Sequence, residues 1–295
     1  MAPLLNCMGL RRGPCWREMS DAISDEEDRL TALSDIQHLI IDMDGVLYRG
    51  EEPMPRLQEF FAFLRARHIK FVLATNNSTR TPRQYAEKLA RMGVHIAPAE
   101  VLHSGQATAR VIARQVGRGT RVHVFGMPSL REAMQEEGLV LADEDVQVVV
   151  GSMDREVTYE KVKRATLLIR GGARFYATNL DPTVPSPEGL LPGSGCMVAM
   201  LEVAAGVKPV AIGKPEPTMF EVAMATMGAG RETTAAIGDR VDTDMLGGRR
   251  AGLTTICVLS GSSSRREAEA FGADYICADI ADLLSAWERA VASKE

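Results

Sequence analysis

The feature that most constrains this chain is a recurring unit. A short apolar run stops at a polar residue, and a segment with helical spacing follows. The first such run, Leu39-Ile40-Ile41, stops at Asp42-Met43-Asp44-Gly45. A β-branched apolar run suits a strand buried on both faces. In open α/β sheets ligands bind beyond the carboxyl ends of the strands, which is where Asp42 would stand. Asp42 and Asp44 are one residue apart, so the chain must bend to bring both to one site, and Gly45 makes that bend easy. Two close carboxylates repel unless a cation lies between them, and oxygen-only ligation favours Mg²⁺. Taken alone, the stretch also reads as a strand followed by an Asx-rich turn.

The unit returns along the chain. Lys70-Phe71-Val72-Leu73-Ala74 reads as a second strand and ends in Thr75-Asn76-Asn77-Ser78. Helices are predicted near Pro82 to Met92, with Pro at the start where it is tolerated, and over about residues 105–115. This alternation predicts parallel strands with right-handed crossovers. From Arg121 the pattern renews itself, with strands at Val122–Phe125, Val146–Val150 and Arg174–Thr178 and helices between them. Asn179-Leu180-Asp181-Pro182 then opens a proline-rich loop, and a helix runs from about Cys196 to Ala205. This section is long enough to be an α/β unit of its own. The first theme comes back with a short strand, Pro209–Ile212, before Gly213-Lys214-Pro215. A strand at Thr234–Ile237 follows and ends in Gly238-Asp239-Arg240, with Asp244 beyond it. A strand from Thr254 to Leu259 and a terminal helix striped by Leu283, Leu284, Trp287 and Val291 complete the chain.

Four strand ends therefore carry polar residues: Asp42 with Asp44, Thr75-Asn76-Asn77, Lys214, and Asp239 with Asp244. Parallel strands are expected to bring all four to one edge of one sheet. Turn statistics do not require acids, amides and a lysine in this combination. A net charge of -5 and 5% aromatic residues, with no basic stripe, argue against a nucleic acid polymer as partner. An acidic chain that handles phosphates must concentrate positive charge locally, through a metal and a few lysines or backbone N–H groups. No apolar run approaches the roughly 20 residues of a membrane span. The five cysteines are scattered and form no CxxC, which fits reduced thiols in a cytoplasmic protein. Cys196 and Cys257 are expected to be buried. The five histidines lack ligand spacing.

The ordered set Asp42-x-Asp44-Gly45-Val46, Thr75-Asn76-Asn77-Ser78, Gly213-Lys214-Pro215 and Gly238-Asp239-Arg240-x-x-Thr243-Asp244 resembles the haloacid dehalogenase (HAD) superfamily. More narrowly it resembles class IIA, the NagD-like and 4-nitrophenylphosphatase-like enzymes. The resemblance implies a Rossmann-like parallel-sheet α/β core with an inserted α/β cap of the C2 type. On this basis residues 1–34 are a flexible N-terminal extension, 35–105 and 208–295 the two parts of the core, and 106–207 the cap. The implied activity is Mg²⁺-dependent hydrolysis of small phosphomonoesters, such as a nucleoside monophosphate, sugar phosphate or aryl phosphate. Asp42 would be the nucleophile and Asp44 the acid and base. Lys214 would neutralise charge, and Thr75, Asn76 and Asn77 would hold the phosphoryl group. The metal would be held by Asp42, Asp44 through its backbone carbonyl, and Asp239, supported by Asp244, Gly45 and Gly238. Asn179 and Asp181 of the cap loop would touch the substrate. The resemblance also suggests a homodimer through the cap. Two alternatives stand beside this reading: a metal-dependent glycosyltransferase using Asp42-Met43-Asp44, and a non-catalytic protein with a HAD fold.

Overall fold

In the first part of the chain, β1 (His38–Ile41) is followed by a small hairpin of β2 (Tyr48–Arg49) and β3 (Glu52–Pro53). Helix α1 (Leu57–Ala66), strand β4 (Lys70–Thr75), helix α2 (Pro82–Arg91), strand β5 (Val101–His103) and helix α3 (Ser104–Gln115) come next. The structure is a computed structural model that describes residues 33–186 and 188–292. The expected flexible extension, with Cys7 and Cys15, lies outside these residues except at its last two positions. Residues 36–284 form one compact unit. Among the described residues, no helix is long and apolar enough to cross a membrane.

The helices follow from spacing and capping. Leu57, Phe60, Phe61 and Leu64 lie on one buried face of α1. Burying each such side chain contributes roughly 1.5–3 kcal/mol. Thr81 starts α2 by accepting a hydrogen bond from Gln84 N–H, and Gln84 reaches back to Thr81 N–H at 2.8 Å. Pro82 then sits where its missing N–H costs nothing.

The second section holds β6 (Arg121–Phe125), α4 (Pro128–Glu136), β7 (Val140–Leu141), β8 (Val148–Gly151), α5 (Tyr159–Arg170) and β9 (Arg174–Ala177). A hairpin of β10 (Thr183–Ser186) and β11 (Gly189–Pro192) precedes α6 (Ser194–Ala205) and β12 (Val210–Ala211). The last section runs through α7 (Pro217–Met227), β13 (Thr234–Gly238), α8 (Leu246–Arg250), β14 (Thr254–Val258), α9 (Arg265–Phe271), β15 (Tyr275–Cys277) and α10 (Ile280–Ala292). Two parallel sheets result. The larger has the order β15-β14-β13-β1-β4-β5, and the smaller β12-β9-β8-β6-β7. Their apolar faces join in one buried cluster: Ile40, Val72 and Ala236 of the first, Val122, Val148 and Tyr176 of the second, with Ile112 of α3.

Several expectations need correction. Val210-Ala211 pairs with Tyr176-Ala177 of the second sheet, so the strand that leads to Lys214 is not part of the first sheet. The proline-rich loop contains an antiparallel hairpin, because Thr183, Val184 and Pro185 can pair along an edge where proline is tolerated. Its Pro187 lies outside the described residues. The short strands β5, β7 and β15 are additions to the sequence reading. Cys196 is exposed rather than buried, whereas Cys257 is buried as expected.

His103 caps α3 from inside the protein. It is fully buried, and its Nδ1 accepts from Gln106 N–H at 3.3 Å. Burial, aided by Arg110, pushes the imidazole pKa down to about 3. In the unfolded chain it would titrate near 6.5. Between those values the unfolded state binds more protons, so stability falls as pH drops below about 6.5. Above that pH the contribution is fully present. The loss assigned to this residue is about 1.4 kcal/mol per pH unit. Urea midpoints of the wild type and of His103→Asn, which keeps a capping side chain, should diverge between about pH 7 and pH 5. A difference that does not change with pH would refute it.

Candidate active site

The register of the first sheet sets the site. Ile41 stands level with Leu73 of β4 and Ile237 of β13. Asp42 is therefore level with Ala74 and Gly238, with Thr75 and Asp239 one step further along the same edge. Asp42 N–H extends the ladder by donating to the Ile237 carbonyl at 2.8 Å. The strands are buried and parallel, so their carboxyl ends must open on one side of the sheet.

Lys214 comes to this edge from the second sheet and sits between two acids. Its Nζ donates to Asp42 Oδ1 and to the Ala74 carbonyl (3.0 Å), and lies 2.6 Å from Asp244 Oδ1. Lys214 and Asp244 are 4% and 3% exposed, so this ion pair is shielded from water. Burial opposes the lysine's charge, but Asp244 and Asp42 more than offset it and raise its pKa. The reverse pressure falls on the acids. Burial first, then Asp244 and Asp239, raises the Asp42 pKa despite the pull of Lys214. Asp239 is pushed up to about 6 by burial and by Asp244. One lysine therefore does not balance three carboxylates.

Asp42, Asp239 and Asp244 each offer a carboxylate oxygen within 4.8 Å of the others. The donors are all oxygen and carry surplus negative charge, which fits a hard divalent cation. Asp244 is already engaged by Lys214 and by Arg240 N–H, which donates to its Oδ2 at 3.2 Å. This leaves Asp42 and Asp239 as the better placed ligands. The Asp44 carboxyl is not one of the three. Asp44 is exposed. Partial burial of its carboxyl still raises its pKa, against the attraction of Lys88. Lys88 lies 3.5 Å over the Tyr48 ring and is itself 4% exposed.

Two glycines make this crowding possible. Gly45 has φ +83°, which strains other residues, and a Cβ there would lie 2.7 Å from Asp239 Oδ2. At Gly238 a Cβ would lie 2.1 Å from the Asp244 Cβ. That close approach occurs because a wide π-type turn over Val241–Met245 folds Asp244 back over the strand end.

The other expected residues separate into groups. Thr75 is buried beside Asp42, and its Oγ1 accepts from Asn77 N–H at 3.1 Å. Asn77 spends its side chain on its own turn, accepting from Thr79 N–H (3.0 Å) and Thr79 Oγ1 (2.7 Å). Asn76 and Asp181 meet at 2.9 Å. The structure does not bring Asn179 to the site. It is 3% exposed, and its amide donates to the Asn76 carbonyl at 2.8 Å. Its neighbours Ser104, Thr178 and Ser194 are buried hydroxyls, so Asn179 fastens the two sheets' edges together.

Sequence reasoning missed Arg240 and the Gly261-Ser262 segment. Arg240 Nη1 lies 3.6 Å from Asp181 Oδ1. Ser262 N–H donates to Asp239 Oδ2 at 2.7 Å. The signal for the second was available. Ser260-Gly261-Ser262-Ser263 comes just after β14, much as Asn76-Asn77-Ser78 comes after β4.

Fold and site together define an α/β protein with an acid–lysine centre at the carboxyl edge of a parallel sheet. Residues 39–140 match the family model of haloacid dehalogenase-like hydrolases, and residues 211–283 match a second, HAD-hydrolase-like model. The chain is 40% identical to the 5'-nucleotidase YutF of Bacillus subtilis over 77% of its length and 88% of that protein's. The 4-nitrophenylphosphatase of Thermotoga maritima superposes with a TM-score of 0.82 at 34% identity, covering 87% of this chain and 99% of that one. A glycerol phosphate phosphatase of Mycobacterium tuberculosis, in complex with magnesium, gives a TM-score of 0.79 at 31% identity, covering 85% and 77%. The chain belongs to the haloacid dehalogenase-like hydrolase family.

Proposed function

We propose that this protein is a Mg²⁺-dependent phosphomonoesterase that acts on small phosphate esters through a phosphorylated Asp42. The observation that carries the reading is Lys214 held between Asp42 and Asp244, with Asp239 beside them. Lys214 engages Asp42 Oδ1, which leaves Oδ2 to attack phosphorus. The Thr75 hydroxyl and the Asn76 backbone N–H hold phosphoryl oxygens as the ester oxygen leaves. Asp44, exposed and with its pKa raised, gives that oxygen a proton and then takes one from the attacking water. Asp42, Asp239 and the Asp44 carbonyl would hold the ion. When bound, it supplies positive charge that offsets repulsion between the carboxylate and the phosphoryl dianion. On this reading the core comprises residues 35–105 and 208–295, and the cap residues 106–207; β12, at Val210–Ala211, pairs with the cap sheet just beyond the second boundary.

The relatives are named for a nucleotide, an aryl phosphate and glycerol phosphate. Such a spread fits a common phosphate site under a cap that differs in what it admits. The acids converge on a lysine rather than on room for a nucleotide sugar, so nothing favours the glycosyltransferase alternative. The test is phosphate release from a panel of 4-nitrophenyl phosphate, nucleoside monophosphates, sugar phosphates and glycerol phosphate, with Mg²⁺ present. Release is expected for at least one, abolished by EDTA and restored by Mg²⁺. No release from any ester, or release that EDTA leaves untouched, rejects the reading.

A further inference from the structure

Lys214 and the carboxylate it neutralises belong to different sheets. Lys214 follows β12, the edge strand of the second sheet, whereas Asp42 ends β1 of the first. Their contact requires that the two sheets' edges be held in register at this point. Asn179 fastens the edges nearby, and at Lys214 itself the side chain of Asn76 does this. The Oδ1 of Asn76 accepts from Lys214 N–H at 2.8 Å, and its Nδ2 donates to the Lys214 carbonyl at 2.8 Å. Both backbone polar groups of Lys214 are thus gripped by one amide.

The remaining Nδ2 proton goes elsewhere. It is donated to Asp181 Oδ2, at 2.9 Å, on the loop that follows β9. The other oxygen of Asp181 faces Arg240, the residue after Asp239, at 3.6 Å. Asn76 is 8% exposed, and its carbonyl also accepts from Ser104 Oγ (2.6 Å) and Asn179 Nδ2 (2.8 Å). Both donors of the amide are in use, so the side chain has none left for a substrate.

We propose that the Asn76 side chain is a positioning residue that couples the seating of the Asp181 loop to the placement of Lys214. With the loop seated, all three amide bonds form and Lys214 is fixed against Asp42. With the loop lifted, a buried donor loses its partner and the grip on Lys214 loosens. Access through the cap loop and readiness of the lysine are then linked. The kinetic consequence rests on the phosphatase reading; the linkage itself does not.

The experiment compares wild type, Asn76→Ala, Asp181→Ala and the double variant on two phosphates. One is 4-nitrophenyl phosphate, and the other acetyl phosphate, whose leaving group is small. Asn76→Ala is expected to lower kcat about 30- to 100-fold, and Asp181→Ala about 5- to 10-fold, with KM nearly unchanged. The losses should be alike for both substrates, because they act through Lys214 and not through the leaving group. In the double variant kcat should fall no more than about twofold below Asn76→Ala, because the second change removes a bond already lost. Losses that multiply, or an Asp181→Ala effect confined to KM for the larger ester, would overturn the proposal. If Asn76→Ala does not fold, Asn76→Ser takes its place, since one hydroxyl cannot make all three bonds. An inactive wild-type protein would overturn the phosphatase reading alone. The melting temperatures of the same four proteins then test the linkage. Overlapping shifts of the two single variants support it, and fully additive shifts sink it.

Discussion

Replacing Asp42 with Asn is expected to lower kcat for 4-nitrophenyl phosphate by on the order of 10⁴-fold or more while the protein stays folded. That factor corresponds to about 5.5 kcal/mol of lost transition-state stabilisation. An amide has neither the charge nor the nucleophilic lone pair that attack on phosphorus demands. The site offers no substitute in the same place. Asp239 is tied by Ser262 N–H, and Asp244 by Lys214 and Arg240 N–H. Folding should tolerate the change. Asn has the volume of Asp, the backbone bond from residue 42 to Ile237 is unaffected, and Lys214 keeps Asp244 at 2.6 Å. Burial, then Asp244 and Asp239, already disfavours the charged form of Asp42, so losing that charge should cost little. The melting temperature should therefore equal or exceed that of the wild type. Steady-state turnover and a thermal melt on one preparation check both halves. A folded variant that retains more than about one per cent of activity would mean that Asp42 does not attack phosphorus.

Much of this arrangement was legible because parallel sheets impose it. Once Leu39–Ile41, Lys70–Ala74 and Thr234–Ile237 are read as buried strands, their polar ends must share one edge. The observed register places Asp42, Thr75 and Asp239 within one step of each other. The origin of Lys214 was not legible. Val210-Ala211 is a two-residue strand, and two residues carry no pattern that says which sheet they will join. Nor could the chemistry of Asn179 tell whether its amide would face a substrate or fill a buried junction, since both need the same donors and acceptor. Arg240 was hidden for a different reason. Its partner Asp181 lies far away in sequence, and only the fold brings them to 3.6 Å. Cys196 was misread because the helix that carries it is apolar nearly all round, so spacing does not reveal which face is covered. The structure leaves Val203 of that helix 83% exposed.

The second large effect is expected from Lys214→Met. Methionine has a similar length and flexibility, so the variant isolates the charge. The lysine is buried between two acids, and its removal leaves the carboxylates of Asp42 and Asp244 facing each other without a cation. Breaking a buried pair in this way typically costs about 3–5 kcal/mol, because the charge left behind has given up its water. Catalysis should suffer as well. Loss of one positioned charge that faces the developing transition state typically lowers kcat by about 10²- to 10³-fold. Lys214→Arg should not rescue it. A planar guanidinium is wider than an ammonium, and the Nζ position is defined by three partners at once, Asp42, Asp244 and the Ala74 carbonyl. Added Mg²⁺ should stabilise the methionine variant against urea more than it stabilises the wild type, because the variant has one more uncompensated negative charge at the place where the ion would sit. Urea titrations with and without Mg²⁺, together with kcat, test the chain of reasoning. Unchanged stability in Lys214→Met would show that the lysine does not hold the two acids together. A normal kcat would show that its charge is not felt at phosphorus.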